Sequence, residues 1–129
     1  MSYLSVKRIG AGYGKHNVIE NISFDLDAGT LMGIVGANGS GKSTFAKVLA
    51  GILTADKKGR YLDGGTFGYM AQKNYAFRMS TKANILLNGS DENRAESLMD
   101  ALQLRHLENK RADKLSGGET ARMALGRLM

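Results

Sequence analysis

Residues 36–44 read GANGSGKST and separate an apolar run, TLMGIV, from the helix-like FAKVLAGIL. Gly36, Gly41, Lys42 and Ser43 satisfy the spacing GxxxxGK[ST]. Glycines at those places let the backbone curl until successive N–H groups converge on an anion, and the helix that follows adds its unpaired first amides and the positive end of its dipole. Phosphate fits such a curl. Lys42 is expected to extend over it to the β and γ phosphates of a nucleotide, the Ser43 hydroxyl to coordinate Mg²⁺, and Asn38, Gly39, Ser40, Gly41 and Thr44 to complete the cradle. By itself the motif serves kinases, GTPases and many ATPases alike.

For those atoms to converge, a strand must end near Gly36 and a helix begin near Lys42. Residues 30–35 are apolar on both faces, which predicts a buried parallel strand with layers above and below it. Phe45, Val48, Leu49 and Ile52 recur at helical spacing over residues 43–53, and residues 54–59 end that helix in polar residues and glycine. Upstream, Tyr3, Ser5 and Lys7 alternate with Leu4, Val6 and Arg8, and Ile22, Phe24 and Leu26 alternate with Ser23, Asp25 and Asp27. This period of two predicts half-buried antiparallel strands, with turns at AGYGK and DAGT.

Downstream, TFGYMA over residues 66–71 predicts another short strand, entered through the turn-forming DGG at 63–65. Helices follow. Ile85, Leu86 and Leu87 sit in a short one; residues 92–104 carry Ala95, Leu98, Met99 and Leu102 on one stripe, with Ser90 or Asp91 as cap; a last one runs from about Gly118 through Met123, Leu125 and Leu128.

The bulk numbers bound what such a chain can be. At 129 residues, 43% hydrophobic and 23% charged, it fits one modest globular domain. Its apolar runs fall far short of the ~20 residues that span a bilayer. The first ten residues lack the cationic-then-apolar pattern of a secretory signal, and the absence of cysteine suits a reducing compartment, so the cytoplasm is the expected location. The net charge of +6 is scattered, in small groups such as Lys57, Lys58 and Arg60 or Arg105, His106, Lys110 and Arg111. With no aromatic residues interleaved to stack bases, a solvated surface is expected and no nucleic-acid partner.

A second motif narrows the field. Residues 115–119 read LSGGE, which resembles the LSGGQ signature of the ATP-binding-cassette (ABC) ATPases. The following ETARMALGRLM is similar to that family's QRQRVALARAL, with Arg122, Ala124, Leu125 and Arg127 in register. Upstream, YGKHNVIENISFDLDAG is similar to the family's YG...VL..VSF.L..G, and FGYMAQ ends in Gln72 where the family has a glutamine. LSGGE also reads as a helix start, with Ser116 as cap and Glu119 closing a capping box. The two readings are compatible.

The resemblance implies a P-loop NTPase core of parallel strands plus helix, an α/β fold with an antiparallel β subdomain, a small helical subdomain and a sheet left incomplete. It divides the chain into residues 1–72 (β subdomain and part of the P-loop core), 73–114 (helical subdomain) and 115–129 (signature and following helix). It implies that Tyr13 stacks on adenine and that Gln72 approaches the Mg²⁺ and attacking water. It further implies two copies paired head to tail, each ATP lying between one copy's Lys42 and the Ser116, Gly117 and Gly118 of the other. Glu119 stands where glutamine is commoner and is expected to face away from phosphate, which it would repel.

Hydrolysis requires a strand-borne Asp to hold Mg²⁺ and a carboxylate to orient water, which the family supplies beyond the signature helix, together with a switch histidine. No counterpart occurs within these 129 residues, since His16 and His106 both precede the signature. The chain is therefore expected to be part of a longer one, and to turn over ATP slowly or not at all. The expected function is ATP binding by a cassette that powers transport through a separate transmembrane permease subunit, peripheral at the cytoplasmic face of the membrane. The alternatives are a soluble cassette ATPase acting in translation or DNA metabolism, or a non-hydrolysing nucleotide-binding module.

Overall fold

The computed structural model describes residues 2–55, 60–63 and 67–129, which divide into two compact units, Met1–Tyr69 and Met70–Met129. The first is built on an antiparallel sheet of β1 (Ser2–Tyr13), β2 (His16–Asp27) and β3 (Arg60–Asp63), in the order β2-β1-β3. The hairpin between β1 and β2 is tighter than AGYGK suggests. Tyr13 pairs with His16 and only Gly14 and Lys15 form the turn, Gly14 with φ 65°.

The alternation in β1 holds only as far as Val6. Leu4 and Val6 are buried, but Arg8 adopts φ 48° at a bulge and donates its N–H to the Ser23 hydroxyl at 2.9 Å. The extra residue shifts the phase, so that Ile9 and Ala11 rather than Arg8 join the buried face. DAGT does turn the chain: Thr30 N–H reaches the Asp27 carbonyl at 3.2 Å with Gly29 at φ 76°, a backbone angle that favours glycine.

One face of this sheet is covered by α1 (Lys42–Leu49), whose Phe45 and Val48 join Leu4, Val6, Ile9, Ala11 and Ile19 in a single core. Phe45 meets Phe24 edge to face at 5.6 Å. The helix stops well before residues 54–59, of which 56–59 lie outside the described residues. Gly51, at φ 73°, sends its N–H to the Val48 carbonyl (3.0 Å), while Ile52 N–H reaches that of Lys47 (2.9 Å), a Schellman ending. Ile52, expected on the buried stripe, is accordingly beyond the helix and exposed.

Two strand expectations fail. Residues 30–35 form no strand; Leu31 is fully exposed and Val35 is 96% exposed. A segment apolar on both faces gains from extension only when flanked by partner strands and covered by layers, and among the described residues none pairs with it. Residues 67–71 are likewise irregular, Thr66 and the glycines of DGG lying outside the described residues; the ladder partner of β1 is instead β3.

The second unit packs α2 (Thr81–Leu86), α3 (Glu92–Ala101) and α4 (Gly117–Leu128) around Ile85, Ala95, Leu98, Met99, Leu104, Ala112 and Met123. Each helix starts on a side-chain cap: Ser80 accepts from Ala83 N–H, Asp91 from Arg94 N–H and Ser116 from Glu119 N–H. Between α3 and α4, two short 3-10 turns at Arg105–Leu107 and Ala112–Lys114 carry the chain; His106, in the first, is exposed. On α4 the buried face is Met123, Ala124 and Gly126, whereas Leu125 and Leu128 are exposed. The close approach selects a glycine, since a Cβ at 126 would lie 2.8 Å from Leu102 Cδ1.

Helix α3 ends three residues before the expected Leu104. Gln103 takes φ 56° and folds Leu104 back so that its N–H meets the Met99 carbonyl at 2.7 Å and its side chain is fully buried. A left-handed non-glycine costs about 1–2 kcal/mol, and glycine relieves it at some entropic cost in the unfolded chain. Gln103→Gly is expected to raise stability in urea unfolding by up to about 1 kcal/mol. A lowered midpoint would mean that the Gln103 side chain makes a compensating contact.

Candidate functional site

In the first unit, residues 36–41 lie on the surface between the exposed segment 30–35 and α1, and they do curl. Ser40 N–H bonds the Ala37 carbonyl at 3.1 Å, and Gly39 and Gly41 take φ 83° and 97°. Lys42 turns back over the loop: its Nζ donates to the carbonyls of Gly36 (2.6 Å) and Ala37 (2.8 Å) and lies 3.5 Å from Ser40 Oγ. Lys42 is thus brought into contact with Gly36, Ala37 and Ser40, its ammonium held by neutral oxygens of the loop.

Both fixed glycines have a spatial reason. A Cβ on Gly36 would lie 2.7 Å from Ser40 Oγ and so fill the curl. On Gly41 it would lie 2.5 Å from Ile19 Cγ2 and 3.1 Å from Val18 Cγ1, because the loop returns to the helix directly over β2. Gly41 is also the N-cap of α1 and offers no side chain, so no cap group competes for the first amides of the helix. Ser43 is exposed on that first turn, while Thr44 is buried beside Phe45. Asn38 and Gly39 stand exposed at the tip.

These features fit a polyphosphate: a helix start with no side-chain cap, an ammonium lying over the loop and a space that a Cβ would invade. Ser43 is the candidate Mg²⁺ ligand on this loop. Among the described residues no group of three or more His, Cys, Asp or Glu gathers to hold a metal ion. Tyr13 stands at the hairpin end of β1 in the same unit, 55% exposed.

The other candidates belong to the second unit. Gln72 is exposed in a bend, and no strand leads into it, contrary to the expectation for FGYMAQ. Ser116, Gly117 and Gly118 are exposed at the start of α4, with open space where a Cβ would stand on either glycine. Ser116 Oγ accepts from Glu119 N–H at 3.3 Å, and Glu119 Oε1 accepts from Ser116 N–H at 2.9 Å. The carboxylate is therefore occupied on the backbone, and the Ser116 hydroxyl keeps its own proton free to donate.

One group was not found by sequence reasoning. Asn84, fully buried on α2, accepts at Oδ1 from Phe77 N–H (3.0 Å) and Arg127 Nη1 (3.2 Å), and donates from Nδ2 to the Phe77 and Ser80 carbonyls (both 3.1 Å). A lone polar residue in ANILL, residues 83–87, was the available signal. Arg127 was noticed only as a match in register.

Two measurements test this geometry. Gly41→Ala is expected to destabilise the chain by about 1–3 kcal/mol, through strain and overlap with Ile19, against about 1 kcal/mol for Gly39→Ala, which has strain but open space. Equal losses would remove the packing argument. The second concerns pH. Acceptance of the Ser116 backbone N–H holds the Glu119 carboxyl below its ordinary value. A group whose pKa is depressed on folding stabilises above its unfolded pKa and loses that contribution as pH falls through its folded pKa. Glu119→Gln keeps the acceptor oxygen, so it is expected to retain the cap at neutral pH and to flatten the acid limb of stability; parallel acid limbs would sink the assignment.

The chain as a whole is similar to known proteins. Residues 19–129 match the family model described as ABC transporter. The chain is 34% identical over 133 residues to the zinc import ATP-binding protein ZnuC of Vibrio vulnificus, covering 98% of this chain and 50% of that protein. It is 24% identical over 151 residues to the zinc uptake system ATP-binding protein ZurA of Listeria innocua, covering 98% of this chain and 59% of that one. It thus spans roughly half the length of these relatives. A solved ATP-binding subunit of an ABC transporter matches with a TM-score of 0.85 at 22% identity, over 98% of this chain and 61% of its own. A bacterial Atm1-family ABC exporter with ATP bound matches with a TM-score of 0.84 at 24% identity, over 97% and 26%. At such identities the structural likeness speaks for the fold, which is the α/β P-loop fold of ABC ATPase domains. With its phosphate-loop and signature motifs in place and a family match over most of its length, the chain belongs to the ABC transporter family.

Proposed function

We propose that this chain binds MgATP through residues 36–44 and serves as the nucleotide-binding part of a cassette that powers transport through a separate transmembrane permease subunit at the cytoplasmic face of the membrane. The observation that carries this reading is the curl itself, with Lys42 Nζ held on the carbonyls of Gly36 and Ala37. A triphosphate offers that ammonium charged acceptors in place of neutral ones, and such bonds are roughly twice as strong. Lys42 therefore moves outward to the β and γ phosphates when nucleotide arrives, releasing the carbonyls of Gly36 and Ala37. Ser43 holds Mg²⁺, which neutralises phosphate charge when bound.

In this reading Tyr13 stacks on adenine, and Asn38, Gly39, Ser40, Gly41 and Thr44 line the phosphates. Gln72 approaches the Mg²⁺ and the attacking water. Ser116, Gly117 and Gly118 meet the γ-phosphate held by a second copy in head-to-tail pairing, the Ser116 hydroxyl and the amides of Gly117 and Gly118, which the capping box leaves unbonded, serving as donors to the charge. The working division is residues 1–72 for the nucleotide, 73–114 for the membrane partner and 115–129 for the partner's ATP. Hydrolysis belongs to a cassette that also supplies the acidic strand. The family match favours transport over a translation or DNA role.

Calorimetric titration of MgATP into the chain and into Lys42→Ala tests the assignment. Removing a charge-assisted bond worth about 1.5–3 kcal/mol is expected to weaken binding by about 10- to 100-fold. Equal affinities would remove Lys42 and its loop from the site.

A further inference from the structure

Between Gln72 and α2 runs a segment, residues 73–80, with no helix or strand of its own. Its side chains do little to hold it: Tyr75, Phe77 and Met79 are exposed, and only Ala76 packs against the core of the unit. Polar bonds hold it instead. The Asn84 carboxamide pairs with both the N–H and the carbonyl of Phe77, as a neighbouring strand would, and takes the Ser80 carbonyl as well. Arg127, near the end of α4, closes the arrangement: Nη1 bonds Asn84 Oδ1, Nη2 donates to the Tyr75 carbonyl at 2.8 Å, and the guanidinium lies 5.3 Å from the centre of the Phe77 ring. Tyr75 meets the Phe77 ring edge to face at 4.8 Å.

Every partner of Asn84 and Arg127 in this cluster is therefore either the segment or the other member. The opposite end of the same helix is the signature, Ser116 lying eleven residues and roughly 16 Å of helix from Arg127. We infer that Asn84 and Arg127 are positioning residues that clamp the segment leading out of Gln72 to the signature helix, so that the two move as one body and a displacement at one is delivered to the other. The inference rests on the reading of Gln72 and Ser116 as nucleotide-facing groups for its functional meaning. The clamp itself is a claim about the second unit alone.

The chain has no cysteine, so two can be introduced for spin labels, at the exposed Arg78 on the segment and the exposed Leu125 on α4. The full-length labelled chain is expected to give one narrow distance distribution. Arg127→Gln, which loses the fork and the charge over Phe77, is expected to broaden it, and Asn84→Asp, which keeps an acceptor for Phe77 N–H and Arg127 but cannot donate to the Phe77 and Ser80 carbonyls, to broaden it as well. Hydrogen exchange at Phe77 N–H should rise about tenfold or more in Arg127→Gln, the loss of a charge-assisted tie. Leu98→Val is the control, loosening the core without touching the clamp; equal broadening there, or an unchanged distribution in both clamp variants, overturns the inference.

A second readout separates the clamp from the functional reading. Arg127→Gln should leave MgATP affinity at the wild-type value, because Lys42 and its loop belong to the other unit, while reducing MgATP-driven self-association in sedimentation. Wild-type chain that never self-associates refutes the head-to-tail reading, and the spin labels still decide the clamp. Loss of nucleotide affinity in Arg127→Gln counts against a role confined to positioning.

Discussion

The phosphate loop depends on a contact that has nothing to do with phosphate: the backbone of Gly41 lying against Val18 and Ile19 of β2. That approach leaves no room for a Cβ, and the left-handed angle it imposes leaves no reason for one. The chain passes this close to the sheet immediately before entering α1, and the loop over residues 36–40 stands exposed beyond that contact. Ile19 is itself part of the core that Phe45 and Val48 of α1 complete. Anchoring of the helix and placement of the loop therefore share Ile19, and glycine takes the left-handed angle at position 41 without steric cost.

The second unit solves a different problem by different means. Its three helices are short, of six, ten and twelve residues, and isolated helices of that length are marginal in water. Each is fixed by a side-chain cap at its start and by a small apolar core, and α3 is linked to its surroundings by a chain of surface ion pairs, Lys82 to Glu92 and Arg105 to Glu96 and Asp100. Exposed pairs of this kind contribute little singly. What the unit cannot supply by packing is order in the segment before α2, and there a buried amide and a guanidinium replace a missing strand. A buried amide left half-satisfied costs more than it returns, so full use of Asn84 on both its oxygen and its nitrogen is what makes the arrangement tenable.

Glu119 shows how the signature tolerates an acid. The capping box turns the carboxylate onto the Ser116 N–H while the serine hydroxyl accepts from Glu119 N–H, so the charge is occupied on the backbone of its own helix start. Glutamine can make the same bond, which explains how either residue suits the helix start.

Local order was written in the sequence: the loop spacing, the two alternating strands, the caps Asp91 and Ser116, and the apolar stripe of α3 are consequences of period and side-chain chemistry over a few residues. Element ends were less legible, because Gly51 and Gln103 stop their helices through a backbone angle and a pair of carbonyl bonds rather than through a change of composition. Distant partners were not legible at all. The bulge that exchanges Arg8 for Ile9, the pairing of β1 with β3, and the exposure of residues 30–35 each depend on which segment lies alongside, as does the meeting of Asn84 with Arg127 across 43 residues of chain. A residue's neighbours along the chain fix what it prefers; only the packed fold decides what it touches, since burial and hydrogen bonding are settled between segments that the sequence keeps apart.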